Sequence, residues 1–411
     1  MILIYRLLIN LILIFSSLII LFRLIKKKEH LTRFKEKFTF FSQKRNKGNL
    51  IWFHGASVGE LQSIVPILEK FQKDKKINHI LVTSNTLSSS KIISKPHLKK
   101  VIHQFFPIDA NIISKKFIDY WKPSRVFFID SEIWPNTLNN LKNKKIPITL
   151  LNARITHKTY KRWNLFPKFA HENFRKFDLC LTSSLESQKY LKNLKASNVN
   201  HIGNLKFAQS ENENLIKLKN LKKITKIKKV WCASSTHDNE ELFFGLAHLE
   251  LRKKINNLFT IIIPRHVNRS NKIKDELNNL GLKVQMYEPK KEINLDTDIY
   301  IVNSYGMTKS FYSNCKIVFL GGSIIKHGGQ NPLEAIRYDC KVLHGPNISN
   351  FKEIYEFLNM KKMSTKIINQ KQLVNILQNY FLKKNKSKNF RKEIKLIGTQ
   401  ILNKTYRAIT Q

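Results

Sequence analysis

Apolar positions follow two regimes along the chain. Residues 7–22, LLINLILIFSSLIILF, carry no charge, and the apolar stretch resumes past Arg23 through Leu24 and Ile25. A bilayer-spanning helix needs about 20 mostly apolar residues. Residues 3–25 are long enough if Arg6 and Arg23 snorkel at the two faces. The start is nearly uncharged and the run ends in Arg-Leu-Ile-Lys-Lys-Lys, with no small-residue cleavage site. This predicts an uncleaved anchor over residues 1–25 rather than a signal peptide. Residues 23–47 hold ten Lys/Arg against two Glu, and the positive-inside rule then places the body in the cytoplasm. Within the basic segment 26–48, residues 31–41 (LTRFKEKFTFF) interleave Phe with basic residues. Two readings stay open for them: attachment to an anionic membrane surface, or a connecting helix whose Phe side chains pack on the body.

From residue 49 the pattern changes to short β-branched runs alternating with helical spacing. Strands are expected at 49–53, 79–83, 101–106, 125–129, 147–152, 178–182 and 199–202, with helices at 60–72, 88–95 and between most of the others. Residues 208–229, AQSENENLIKLKNLKKITKIKK, are polar and of low complexity, and read as a connector with a short helix. The alternation then resumes, with strands at 230–233, 259–263, 284–286, 300–303, 317–320 and 342–344, and helices at 238–254, 269–280, 331–338 and 370–382. Continuous apolar strands alternating with helices mean parallel sheets covered on both faces. The predicted fold class is α/β: two Rossmann-like domains, 49–207 and 230–411, behind an N-terminal anchor helix. Ligands of such sheets bind outside the carboxyl ends of the strands, and with two facing domains the natural site is the cleft between them.

Composition changes this picture little. At 42% hydrophobic and 25% charged residues the chain is ordinary globular protein, not a disordered or multi-span one. The net charge of +44 is extreme, but 59 of the 73 basic residues are Lys. Lys, Asn and Ile also abound in every element, which reads as the codon bias of an AT-rich genome more than as a polyanion footprint. A polyanion-binding protein would show basic stripes interleaved with aromatics in a nucleic-acid fold, and no glycine loop feeding an acid-bearing helix. Cys180, Cys232, Cys315 and Cys340 lie far apart with no metal spacing. That argues against zinc and a disulfide framework and fits a reducing compartment.

Candidate chemistry sits at the expected strand ends. His54-Gly55-Ala56-Ser57-Val58-Gly59-Glu60 follows the first strand and puts Glu60 in the first helical turn. There it could accept a proton from a bound hydroxyl or simply complement the helix dipole. Asp130-Ser131-Glu132-Ile133-Trp134-Pro135-Asn136 follows the fourth strand, and one of its acids could cap the next helix. Asn152-Ala153-Arg154 ends the fifth strand, and Gly203-Asn204-Leu205-Lys206-Phe207 places a cation after the last strand of this half. In the second half, Ala233-Ser234-Ser235-Thr236-His237 precedes Glu240-Glu241; it reads as an anion site, as a capped helix start with a capping-box Glu, or as both. Pro264-Arg265-His266 brings an Arg fork suited to phosphate. Gly321-Gly322-Ser323 and Gly328-Gly329-Gln330-Asn331-Pro332-Leu333-Glu334 hold four of the thirteen glycines within nine residues. Backbone amides of such a loop can approach phosphate, and Glu334 can accept from a ribose diol. Asp296 and Asp298 lie at the amino end of their strand and read as a loop feature. His54, His237, His266 and His327 share no metal spacing, and no metal site is expected.

The strings HGASVGE, DSEIWPN, LNARIT, GNLKF, ASSTHDNEE, IPRH, GGSIIKHGGQNPLEA and HGPNISNF occur in that order. Together they resemble the 3-deoxy-D-manno-octulosonic acid (Kdo) transferases of Gram-negative bacteria, from the anchor to about residue 355. The resemblance implies a GT-B fold, CMP-Kdo as donor, and a lipid A precursor as acceptor. It further implies an inner-membrane enzyme facing the cytoplasm, with inverting, metal-independent chemistry and no cofactor or nucleic-acid partner. It assigns the general base to Glu60 and transition-state stabilisation to Asp130 and Lys206. Contacts to CMP fall on Pro264, Arg265, Tyr305, Gly306, Met307, Asn331, Pro332, Leu333 and Glu334. Three departures stand out. Asp130 replaces a Glu and is one methylene shorter. Asn303-Ser304-Tyr305-Gly306-Met307-Thr308 lacks the two acids of the corresponding string, leaving Met307 its backbone or thioether. Gln330 replaces a His. The site residues alone would equally admit another membrane-tethered GT-B transferase using a different sugar nucleotide.

Overall fold

The computed structural model describes residues 1–93, 96–209, 215–216, 218, 220–383 and 389–411. The end of the expected helix 88–95 and residues 210–214, 217 and 219 of the connector lie outside them. The chain forms two compact units, Met1–Ser210 with Ile397–Gln411, and Glu211–Leu396. The second domain, expected over 230–411, therefore gives up its last residues to the first unit.

The first unit holds seven strands: β1 (Leu50–His54), β2 (His79–Ser84), β3 (Val101–Phe105), β4 (Arg125–Ile129), β5 (Ile148–Ala153), β6 (Leu179–Thr182) and β7 (Val199–His201). They pair in parallel in the order β3-β2-β1-β4-β5-β6-β7. The second unit has β8 (Lys229–Thr236), β9 (Leu258–Pro264), β10 (Val284–Met286), β11 (Ile299–Ile301), β12 (Ile317–Leu320), β13 (Lys341–His344) and β14 (Ser364–Lys366), in the order β10-β11-β9-β8-β12-β13-β14. Central strands are buried from end to end, as in LIWFH of β1 and IVFL of β12. That is why they read as unbroken apolar runs rather than alternating ones. The strand order reverses between β1 and β4 in the first sheet and between β8 and β12 in the second, where β11 also lies between β9 and β10. Loops leaving each of these reversing pairs diverge to opposite faces and open a crevice there.

Each unit has its own aromatic core. In the first, Trp52 on β1 packs on Phe106, Phe117 and Phe128, and its indole N–H donates to Thr83 Oγ1 at 2.9 Å. In the second, Trp231 and Phe319 both pack on Phe244. The segment 31–41 follows the packing alternative. A 3₁₀ helix spans Arg33–Phe38, its buried Glu36 accepts from Phe105 N–H at 2.7 Å, and Phe41 stacks on Tyr120 with centroids 3.7 Å apart. Leu31 and Phe40 remain exposed.

The helix Phe390–Thr410 has no counterpart in the sequence reading. Its C-terminal part belongs to the first unit. Tyr406 packs on Phe71, the Arg125 side chain donates to the carbonyl of Ile409, and Ile401 lies against Gly203. A Cβ on Gly398 would stand 2.3 Å from the carbonyl oxygen of Phe207 and 2.9 Å from Ala208 Cα. The glycine thus lets this helix press on the turn that carries Lys206. We predict that Gly398→Ala lowers stability by about 1–3 kcal/mol, the usual cost of overpacking, read as a reduced denaturant midpoint. An unchanged midpoint would show that the Phe207 turn yields freely.

Candidate active site

The reversal of strand order in the first unit gathers the acids. β1 ends at His54, and the helix Val58–Lys73 begins four residues later. Ser57 caps it, its Oγ accepting from Glu60 N–H at 3.3 Å. Glu60 folds back over this turn. Its Oε1 accepts from the Ser57 hydroxyl at 2.7 Å and its Oε2 from Ala56 N–H at 2.7 Å, a reciprocal capping arrangement. Glu60 thus sits in the first helical turn, as expected, and closes a capping box there. Its carboxyl is nevertheless pushed up to about 7, first by burial and then by the charges of Asp130 and Glu132, against the pull of the Ser57 and Ala56 hydrogen bonds. A carboxyl of this kind exchanges its proton near neutrality, as a general base must.

Asp130 leaves β4 in the left-handed region, φ +55°, and Asn152 does the same at the end of β5, φ +54°. Asp and Asn are the non-glycine residues that tolerate this conformation best. Asn152 Nδ2 donates to Asp130 Oδ1 at 2.6 Å, and Asn152 Oδ1 accepts from Leu205 N–H at 2.8 Å. One amide side chain thus ties the ends of β4 and β5 to the turn Leu205–Ala208 that carries Lys206. Burial raises the Asp130 carboxyl, and Lys206, the Asn152 hydrogen bond and Arg154 pull it back. Neither acid of the DSE string caps the following helix, whose N-cap is Trp134 with Pro135 in its first turn. Glu132 instead holds His54 Nε2 at 3.1 Å and accepts from the indole N–H of Trp134 at 2.9 Å. The sequence reading had passed over these roles for Asn152 and for the His54–Glu132 pair, although LNARIT and HGASVGE displayed the residues at strand ends.

In the second unit the glycine loop departs from expectation. The amides of Gly322, Ser323 and Ile324 do not face an open space. They donate at 2.7, 3.2 and 3.1 Å to the carboxylate of Glu240, which also accepts from His237 N–H at 3.0 Å. A buried nest of amides attracts an anion, and here the chain supplies its own. Glu241 is occupied too, accepting from the Thr236 hydroxyl and from Arg269. Gly321 permits the approach, since a Cβ there would lie 2.7 Å from Glu240 Oε2. The HGPNISNF string closes the same loop, with Asn347 Nδ2 donating to Ile324 O at 2.9 Å and Gly345 N–H to Ser323 Oγ at 2.8 Å.

The residues expected at the donor all lie in this second unit. Pro264 ends β9, and Arg265 follows with its N–H donating to Thr236 O at 2.9 Å and its side chain exposed. Tyr305 is exposed, and Gly306 adopts φ +80°. The Met307 thioether is buried and its carbonyl accepts from Ser310 and Phe311, so neither faces outward. Asn331 Oδ1 accepts from Leu333 N–H at 3.1 Å, while Pro332 and Leu333 are buried. Glu334 lies 3.9 Å from Lys309 Nζ, joining the segments around 307 and 331. His237, His266 and His327, unrelated in spacing, meet in space: the His237 ring is 4.2 Å from that of His327 and 6.1 Å from that of His266. His237 Nδ1 lies 3.0 Å from the Ser235 carbonyl and so carries the hydrogen. Burial and His327 hold the ring neutral by lowering its pKa. Its buried Nε2 has no partner and presents a lone pair suited to a hydroxyl or amine of a ligand. Among the described residues no group of three His, Cys, Asp or Glu side chains is arranged for a metal ion, and the four cysteines are buried and free.

The raised pKa of Glu60 bears on stability. The folded chain keeps this proton up to about pH 7, whereas the unfolded chain releases it near the ordinary carboxyl value of about 4.3. Stability therefore falls as pH rises through that window and stays lowered above it. Glu60→Gln is expected to be more stable than the parent by about 1–3 kcal/mol at pH 8, with the difference vanishing towards pH 4. Denaturant unfolding at several pH values measures it, and a pH-independent difference would contradict the crowding of the three carboxylates.

Residues 32–209 match the family described as 3-deoxy-D-manno-octulosonic-acid transferase (kdotransferase). The 3-deoxy-D-manno-octulosonic acid transferase of Rickettsia bellii is 33% identical over 374 residues, spanning 90% of this chain and 88% of that one. A probable mitochondrial 3-deoxy-D-manno-octulosonic acid transferase of Arabidopsis thaliana is 30% identical, spanning 84% and 81%. In fold, the chain is similar to UDP-GlcNAc 2-epimerase from Neisseria meningitidis, with a TM-score of 0.56 over 89% of this chain and 98% of that one at 15% identity. Paired Rossmann-like units of this kind are the GT-B architecture. Identity sustained across both units, with the motif strings at the strand ends of each, shows that the chain belongs to the 3-deoxy-D-manno-octulosonic acid transferase family.

Proposed function

We propose that this enzyme transfers Kdo from CMP-Kdo to a lipid A precursor, with inversion and without a metal, Glu60 serving as the general base. The observation that carries the reading is the near-neutral carboxyl of Glu60 at the point of strand reversal, beside Asp130 and Glu132. The acceptor hydroxyl is a poor nucleophile while protonated. Glu60 takes its proton as the oxygen forms the bond to the anomeric carbon of Kdo and the bond from that carbon to the phosphate oxygen of CMP breaks. Inversion requires the base on the face opposite the leaving group. Positive charge develops on the sugar ring in between, and the Asp130 carboxylate, held by Asn152, is suited to it. Lys206 offers a cation for the Kdo carboxylate or the departing phosphate.

For the donor, Arg265 supplies an exposed guanidinium at the end of β9, and Glu334 an acceptor for the ribose diol. The buried Glu240 carboxylate removes the amides of Gly322, Ser323 and Ile324 from phosphate binding, which leaves Arg265 the larger share. The apolar helix Ile2–Ile25 attaches the enzyme to the inner membrane, with the body on the cytoplasmic face beside its lipid acceptor. The ten basic residues at 23–47 support that orientation.

Incubation with CMP-Kdo and a tetraacylated lipid A precursor, with product mass read out, tests the reaction; a chain that leaves the precursor unmodified refutes it. Glu60→Gln should lower turnover by about 10²–10⁴-fold with CMP-Kdo affinity nearly unchanged. The parent's kcat/KM should rise with pH through about 7 and level off, because only the deprotonated carboxylate is a base. A variant keeping more than about a tenth of the turnover retires Glu60 from that role.

Arg265→Ala should weaken CMP binding by about 1.5–3 kcal/mol, the worth of a hydrogen bond to a charged group. Calorimetric titration that gives an unchanged Kd for CMP would remove Arg265 from the site.

A further inference from the structure

The anchor helix is tied to the body at both ends, and a helix that crosses a bilayer cannot be. Near its start, the Tyr5 hydroxyl donates to Asp109 Oδ2 at 2.8 Å, and the Tyr5 ring meets Phe169 at 6.0 Å. Arg6 donates to Asn136 Oδ1 and Asn111 Oδ1, both at 3.1 Å. Asp109 is no incidental surface acid. It is 2% exposed and also accepts from the backbone N–H groups of Asn136 and Thr137 at the start of the helix Pro135–Asn143. Near the end of the anchor, Arg23 donates to the buried Glu29 at 2.7 Å, Glu29 accepts from Lys37 at 2.6 Å, and the Lys37 carbonyl accepts from Ile108 N–H. Both ends of the helix therefore converge on the segment around residues 105–111. Between them Ser16 and Ile20 are buried.

Tyr5 and Arg23 are separated by 18 residues, about 27 Å of helix at 1.5 Å per residue, close to the roughly 30 Å of a bilayer's hydrocarbon. A spanning helix would leave Tyr5 and Arg6 a full membrane thickness from Asp109. Nor does Arg6 snorkel; Asn136 and Asn111 of the body take its guanidinium, while Arg23 pairs with Glu29 of the basic segment. Away from the narrow line of contact through Tyr5, Ser16 and Ile20, the helix surface from Leu3 to Ile25 is apolar except at Asn10 and Ser17, its large side chains 46% to 72% exposed. It holds no acid, and Lys26, Lys27 and Lys28 follow directly.

Building on the membrane attachment proposed above, we infer that this helix lies in the plane of one leaflet rather than across the bilayer. Its apolar Leu3–Ile25 surface enters the headgroup–acyl boundary, and the first unit clasps the helix along the line of contact. The occupant of that exposed surface is an anionic lipid membrane, matched by the apolar side chains and the adjoining lysines. The N-terminus then lies on the same side of the membrane as the body.

The full-length chain, tagged at both ends, tests this in membrane vesicles of defined orientation. Protease added to the face that exposes the C-terminal tag should remove the N-terminal tag as well. Removal of the two tags from opposite faces overturns the in-plane helix while leaving attachment intact; recovery of the whole chain in the soluble fraction refutes attachment itself. A second measurement avoids tags. Nitroxides on single cysteines placed at Leu3, Leu11, Leu18 and Ile25 should report one common depth of about 5–10 Å, the four native cysteines being buried. A depth profile that peaks at residues 11 and 18 and falls at both ends overturns the proposal.

Discussion

Like charge crowded at one end of a parallel sheet is the constraint on which the first unit is built. Glu60, Asp130 and Glu132 all leave strands β1 and β4 where the strand order reverses, and each raises the cost of ionising Glu60 or is raised itself. Every neighbour answers that repulsion. Asn152 donates to Asp130, Lys206 and Arg154 supply positive charge, His54 and Trp134 take up Glu132, and Ser57 with Ala56 hold Glu60. Two left-handed backbone positions, Asp130 and Asn152, persist because this network over-determines them. A carboxyl poised near neutral pH is thus a property of the whole strand-end cluster, not of Glu60 alone.

The second unit meets the same physics with the opposite sign. Its surplus is of donors: three consecutive amides after β12 would attract whatever anion is at hand. Glu240 fills that role from inside and fixes the loop's conformation before any ligand arrives. Under the proposed function, the CMP-Kdo donor is left to an exposed Arg265, to Glu334 beside Lys309 and to His237, whose buried Nε2 has no partner. A glycine-rich loop in this setting is a device for packing a buried carboxylate.

The alternation of apolar runs and helices was enough to read the α/β class and every strand except β14. That strand, STK, is three residues of polar sequence at a sheet edge, where burial imposes no apolar pattern. The positions of Glu60, Asp130 and Lys206 at strand ends were legible because the parallel strands themselves were. What escaped was pairing at long range. Nothing in the order of residues says that Glu240 will reach Gly322, or that Asn152 will bridge Asp130 to Leu205, since each depends on which strands become neighbours. Length and hydropathy marked the apolar helix Ile2–Ile25 but not its packing, which rests on Tyr5 and Arg6 finding partners more than a hundred residues away.

The return of the last helix to the first unit has a consequence for how the protein is made. On the ribosome, N-terminal domains emerge and fold first, at about 5–20 residues per second. Here the groove beside Gly203 and the Phe207 turn is filled by residues near 398–409. The intervening half of the chain, roughly 190 residues, takes about 10–40 s to follow. Throughout that interval the Lys206 turn is held by Asn152 through Leu205 N–H but lacks the backing of the last helix. The turn that carries Lys206 thus gains this packing only after the second unit has been synthesised.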